Sequence, residues 1–373
     1  MNTVSTVARI DDFSGSYAPE DVTFLLKRIQ MTPTPVDEKE RRIQVGLTHY
    51  SEMISEERRP DARYLAHFQD ACVPGVPRLA RDIRSLTGQV LDLVRAGRLN
   101  QQVTLCSLVR AGVPYGVLLR RDLERAGINV AHFGVSIIRE RGLDRVAMAR
   151  VISERPVDGV LFVDGWTGKG AISDELEKSW REISGLAPLL AVIADPCGRA
   201  GLCASREDWL IPSGILGANV SGLISRSILR SDVIGEGDFH GCLVLDHLSD
   251  LDVSVAFVDR VDEHLCRTTE VGTTDPDALC EAANRFRCAA DDTVTAVAIR
   301  FGIKNLNRIK PGIAEATRAV LRRIPDRVLV RCAGRDSELA ALVHLCERDQ
   351  VPILVDAGLM GPYRAITIIR ETT

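Results

Sequence analysis

Four short apolar runs, Val103 to Val109, Val130 to Ile138, Val160 to Val163 and Leu189 to Ala194, alternate with helical stretches, and this alternation restricts the fold more than any other feature. Runs of this kind, apolar throughout, suit strands buried on both sides, and their alternation with helices predicts an α/β domain built on a mostly parallel sheet. Ligands of such sheets sit beyond the carboxyl ends of the strands, so the loops following these runs carry the functional expectation. Residues 1–60 are polar, with prolines at 33, 35 and 60 and charge runs at 37–42 and 55–59, and read as an extension with short helices that packs on the core. The core domain is expected over 61–305. A compact α/β module is expected over 306–373, with a basic helix Ile313 to Arg323, a strand Arg327 to Cys332, a helix Ser337 to Arg348 and strands Pro352 to Val355 and Ala365 to Ile369.

A length of 373 residues with 45% apolar content supports two domains, each with a core of its own. The N-terminus lacks a basic flank leading into an apolar run, and no apolar stretch is long enough to span a bilayer, so the chain reads as soluble and cytoplasmic, without a membrane partner. Ten cysteines are scattered without CxxC pairs or histidines at metal-ligand spacing, which argues for reduced thiols rather than a zinc site or a disulfide scaffold. A net charge of −4 gives no global footprint for nucleic acid.

The strongest local signal is Val160-Leu-Phe-Val-Asp164-Gly165-Trp166-Thr167-Gly168-Lys169-Gly170-Ala171, a buried strand ending in an acid and a Gly-rich turn before a helix from Ile172. Amides at a helix N-terminus suit a phosphate, Lys169 adds a charge, and Asp164 is placed to hold sugar hydroxyls. The string is neither a Walker A loop nor a dinucleotide fingerprint, because Val163 stands five before Gly168 and Gly170 stands where a hydroxyl would hold magnesium. Upstream, Val109-Arg110-Ala111-Gly112 follows the first run and precedes a helix through Val117 to Arg125, an arrangement suited to clamping a diphosphate.

Together the two loops resemble those of type I phosphoribosyltransferases, and Arg139 and Arg141 resemble the start of that family's mobile catalytic loop. The resemblance implies a sheet with helices on both faces and Mg²⁺-dependent transfer from phosphoribosyl pyrophosphate to a small acceptor. Arg110, Arg139, Arg141 and Asp164 would be catalytic, 109–112 and 164–171 would bind the donor, Asp164 would meet Mg²⁺ largely through the substrate, and Asp195, Ser213 and Ser221 would line the acceptor subsite. The chain departs from that pattern in having Asp164-Gly165 where two adjacent acids are usual.

A longer resemblance, carried by Gly15 to Leu26, His49 to Met53, Asp164 to Ile172, Ile211 to Ser213, Val220 to Arg226, Asp238 to Gly241 and Lys310 to Ile313, is to the phosphoribosyltransferase-like proteins of bacterial tellurium-resistance and stress operons, also labelled StiP-type cysteine proteases. It implies a C-terminal module of Pelota (L7Ae-like) type, in which Arg318, Arg322, Arg323, Arg327 and Arg331 form a basic surface for RNA, and it leaves a homodimer open. Transfer is the first expectation. The second is proteolysis by Cys106 or Cys197 with His49 or His240, although the resemblance places a cysteine near position 215, where this chain has Ile215. The third is a non-catalytic nucleotide or RNA sensor.

Overall fold

The computed structural model describes residues 12–268, 276–332 and 336–371. The strands of its central sheet, in chain order, are β1 (Thr23–Phe24), β2 (Gln102–Leu108), β3 (Asn129–Val135), β4 (Val160–Trp166), β5 (Leu190–Ala194) and β6 (Leu202–Ser205), which lie in the order β1-β3-β2-β4-β5-β6 with every pair parallel. Alternate residues of the central strands point to opposite faces, so Leu105, Leu161 and Ile193 enter one hydrophobic cluster while Cys106, Phe162 and Val192 enter the other.

Helices cover both faces. On one side lie α2 (Ala62–Arg95), α3 (Val113–Arg125) and α6 (Ser254–Arg267); on the other lie α4 (Arg145–Glu154) and α5 (Ala171–Ser184). The 34-residue α2 starts where the Asp61 carboxylate accepts from the Tyr64 amide at 2.8 Å, and it buries Tyr64, Phe68, Cys72, Val76, Leu79, Ile83, Leu86 and Val90. Steps of three and four place these side chains on one stripe, and burying each large one contributes roughly 1.5–3 kcal/mol.

The extension does more than pack on the core. Its strand β1 adds to the sheet edge, with Thr23 and Phe24 in register with Phe133 and Gly134, and its helix α1 (Val36–Gln44) leads into the segment that borders the functional cleft.

After α7 (Pro276–Phe301), the C-terminal module comprises β7 (Ile309–Pro311), α8 (Ile313–Arg322), β8 (Pro325–Val330), α9 (Ala340–Arg348), β9 (Ile353–Val355) and β10 (Ala365–Ile369). The sheet order is β7-β10-β8-β9, with β10 antiparallel to both neighbours and β8 parallel to β9. Buried Asp208 fastens the module to the core by accepting from the amides of Ile313 at 3.0 Å and Arg364 at 2.7 Å. The architecture is thus mixed α/β with a mostly parallel central sheet. No helix among the described residues is long and apolar enough to cross a membrane.

Candidate functional site

The parallel strands deliver their loops to one edge, and there a cleft of about 840 Å³ opens between the loops after β2 and β4, residues 36–58 and the C-terminal module. Arg110 and Ala111 reach it from the first loop, Asp164, Trp166, Thr167, Gly168, Lys169, Gly170 and Ala171 from the second, and Arg139 and Arg141 from the turn between. Both motif loops therefore serve one cavity.

Val109, Gly112 and Gly165 do not line it. The two glycines have packing roles: a Cβ at Gly112 would meet the Val163 carbonyl oxygen at 2.1 Å, and one at Gly165 would meet the Tyr115 ring at 2.7 Å. Gly170 has φ +88° at the start of α5, a conformation natural to glycine.

The acceptor subsite expected from Asp195, Ser213 and Ser221 does not form. All three are buried and none lines the cleft. Asp195 accepts from Thr167 Oγ1 at 2.6 Å and Arg206 Nη1 at 2.8 Å, the Ser213 hydroxyl meets that of Tyr115, and the Ser221 hydroxyl donates to the Gly217 carbonyl at 2.9 Å. Internal hydrogen bonds satisfy these groups, which is the ordinary fate of small polar residues in a core.

Arg110 is likewise not a free clamp. Its guanidinium is ion-paired with Glu57 and donates to the Ile224 carbonyl at 2.9 Å. Burial alone would raise the Glu57 carboxyl, but the charges of Arg110 and Arg322, with hydrogen bonds from Arg110 and the Ala218 amide, outweigh it and hold the group at about 2. At Asp164 burial wins, pushing the carboxyl up to about 7 despite the hydrogen bond from the Gly165 amide. No group of three or more metal-ligating side chains assembles among the described residues.

The remaining wall comes from Tyr50 and Arg226, which carried no site expectation, and from Arg318, Arg322 and Arg323, which were expected on an RNA-facing surface. Tyr50 meets two guanidiniums, those of Arg139 and Arg226, each 5.3 Å from its ring centre. Arg318 stacks over Trp166 at 4.5 Å, Arg322 lines the cavity beside it, and Arg323 pairs with Glu40. The expected basic surface for RNA is therefore not built from the five arginines named above. Three face the cleft and Arg327 pairs with Asp326 at 2.7 Å, so of the five Arg331 alone is left as an exposed cation without an acidic partner among the described residues, its Nη2 donating to the Tyr363 carbonyl at 3.1 Å.

The cysteines keep clear of the cavity: no described cysteine lines it, and none of the nine described is in a disulfide. Cys106 is buried mid-strand and burial raises its thiol strongly. Cys197, buried beyond β5, sits beside the Thr167 hydroxyl, and burial pushes it up to about 12. His49 lines the cleft with Nδ1 against the Ser51 hydroxyl at 2.8 Å, whereas His240 Nδ1 meets the Ser136 hydroxyl at 2.7 Å. Ile215 is fully buried, and its carbonyl accepts from the Tyr64 hydroxyl at 2.6 Å.

Residues 15–262 match a family described as tellurite-like stress resistance cysteine protease StiP, and the chain is 43% identical over 375 residues to the protein named cysteine protease StiP of Acinetobacter baylyi, covering 96% of this chain and 94% of that one. The chain belongs to the StiP family. Residues 288–371 match the PELOTA RNA binding domain, which takes in the end of α7 as well as the C-terminal sheet. The StiP relationship overturns the expectation of Mg²⁺-dependent phosphoribosyl transfer, because the relative that aligns over nearly the whole chain is named for proteolysis. The structure adds a physical reason: Arg110 is committed to Glu57, and none of the expected acceptor residues lines the cleft.

Proposed function

We propose that the chain is a cysteine peptidase acting at the cleft between the central sheet and the C-terminal module. The observation that supports this is the identity, extending over almost the whole of both chains, with a protein named cysteine protease StiP. Cys197 is the thiol assigned to the reaction, since the Thr167 hydroxyl beside it borders the cleft. His49 is the base: burial holds its imidazole below the usual value, so the ring is neutral and able to accept a proton. The sulfur would attack a peptide carbonyl as its proton passes to the imidazole, the imidazole would return that proton to the leaving amine, and water would then hydrolyse the thioester. The pair is not hydrogen-bonded in this structure, and the thiol is protonated at neutral pH. The reaction therefore requires substrate to open the turn at 195–198 toward the cleft.

A fluorogenic peptide library with the full chain tests the assignment. Cys197→Ser and His49→Ala are expected to lower kcat at least ~10³-fold, with Cys106→Ser near the natural rate. Cleavage that survives both Cys197→Ser and thiol alkylation would overturn it.

A second reading, favoured by the match to the Pelota RNA-binding family, is that the C-terminal module contacts RNA. The contact would use exposed cations such as Arg331 and Arg370 rather than the arginines of α8. Filter binding of a single-stranded RNA that is unaffected by Arg331→Glu with Arg370→Glu would refute this route.

A further inference from the structure

The cleft is far more basic than the protein around it. Twelve lysines and arginines line it against six acids, although the whole chain carries −4. Some of these cations are neutralised, as in the Arg110–Glu57 and Arg323–Glu40 pairs. Others are not. The side chains of Arg322 and Lys39 make no hydrogen bond and no ion pair among the described residues, and Nε and Nη2 of Arg322 are shut off from solvent without an acceptor. Nε of Arg318 is in the same condition, and among the described residues the guanidinium makes only a long hydrogen bond, from Nη2 to the Leu216 carbonyl at 3.4 Å. Lys310 comes no closer to an acid than 4.0 Å, at Glu315.

These groups also disfavour one another's charge. Burial first, then Arg110, brings Arg322 down to about 9. Burial and the neighbouring Lys310 bring Lys169 down to about 7, and burial and Arg226 bring Lys39 to about 8. Buried charges in folded proteins are normally paired, and a concavity holding several unpaired cations is complementary to an anion of matching charge.

We propose that the cleft binds a small molecule carrying at least two phosphate groups, held by Arg318 and Arg322 of α8 together with Lys39, Lys169 and Lys310. Guanidinium forks grip phosphate oxygens in pairs and lysines supply point charges, so this set exceeds what one carboxylate engages. The cavity volume falls within the range of small-molecule sites. Trp166, under the Arg318 guanidinium, offers an aromatic face beside the phosphates. The proposal goes beyond the peptidase reading and does not rest on it.

The test is isothermal titration calorimetry of the full chain with inorganic pyrophosphate and, separately, ATP. Micromolar binding of either is expected, with both binding if the phosphates suffice and ATP alone if an attached base and sugar are also needed. Arg322→Gln and Lys39→Gln should each weaken binding tenfold or more, while Arg327→Gln, outside the cleft, should not. Thermal melting guards against misfolding: without ligand, Arg322→Gln should still unfold in one cooperative transition, yet pyrophosphate should no longer raise its melting temperature. Binding at pH 8 should take up protons, seen as a dependence of the measured heat on the buffer's ionisation enthalpy, since a phosphate restores the charge of Lys169. No binding of either probe at millimolar concentration, or natural affinity in both cleft variants, would overturn the proposal whatever the outcome of peptide cleavage.

Discussion

Replacing Glu57 by glutamine removes the acid that neutralises Arg110 while keeping its shape. The side chain is only 12% exposed, so solvent screens the pair weakly. Holding its carboxyl at about 2 rather than 4.5 is equivalent to about 3 kcal/mol of stability at neutral pH. The loss from Glu57→Gln should be at least that large, because a buried guanidinium is left unpaired. The depressed folded value fixes the pH dependence: the contribution is complete above 4.5 and disappears as pH falls toward 2. Urea unfolding at pH 7 should therefore show a deficit of about 3 kcal/mol in the variant, narrowing progressively below pH 4.5. A deficit under 1 kcal/mol at pH 7, or one that stays constant down to pH 3, would refute the reasoning.

Asp164→Asn should act in the opposite direction. Burial raises that carboxyl to about 7, so ionising it opposes folding, and thermal melts should show the variant gaining on the natural chain as pH rises from 5 to 8, on the order of 2–4 kcal/mol. Gly112→Ala should cost more than about 2 kcal/mol in chemical unfolding, because its methyl group would meet backbone rather than a flexible side chain. Mass spectrometry after brief alkylation of the native chain should find Cys266, Cys288 and Cys332 modified well before Cys106, Cys197 and Cys242, matching their exposure; equal labelling of all six would contradict the burial described.

The central strands were legible because a strand buried on both faces has little choice but to be apolar throughout. β2 to β5 fall within a residue or two of the first three runs' starts and of the fourth, although β4 extends past Val163 to Trp166 and the second run divides into β3 and a short strand at Ile137–Ile138. The Gly-rich turn after β4 was readable for the same local reason. What could not be read was the destination of charge. The arginines of α8 are spaced like those of a solvated helix face, and nothing within the helix says that an internal cavity lies against it. Glu40 and Arg323 are separated by 283 residues in sequence, and Glu57 and Arg110 by 53, so the polar extension gave no sign that its acids are partners for buried guanidiniums. Ser213 and Ser221 were misplaced because a hydroxyl suited to a ligand is equally suited to a core hydrogen bond.

The anchoring of the C-terminal module through Asp208 bears on how the molecule can be divided. Helix α8 begins at that anchor and continues directly into the cavity wall, so the enclosure is assembled only when the C-terminal module docks. A fragment ending near residue 305 would present the sheet loops as an open shelf, stripped of Arg318 and Arg322 and of the roof over Trp166. Any lineage that shed this module would be expected to change what the remaining chain can retain, even with every strand of the larger sheet intact.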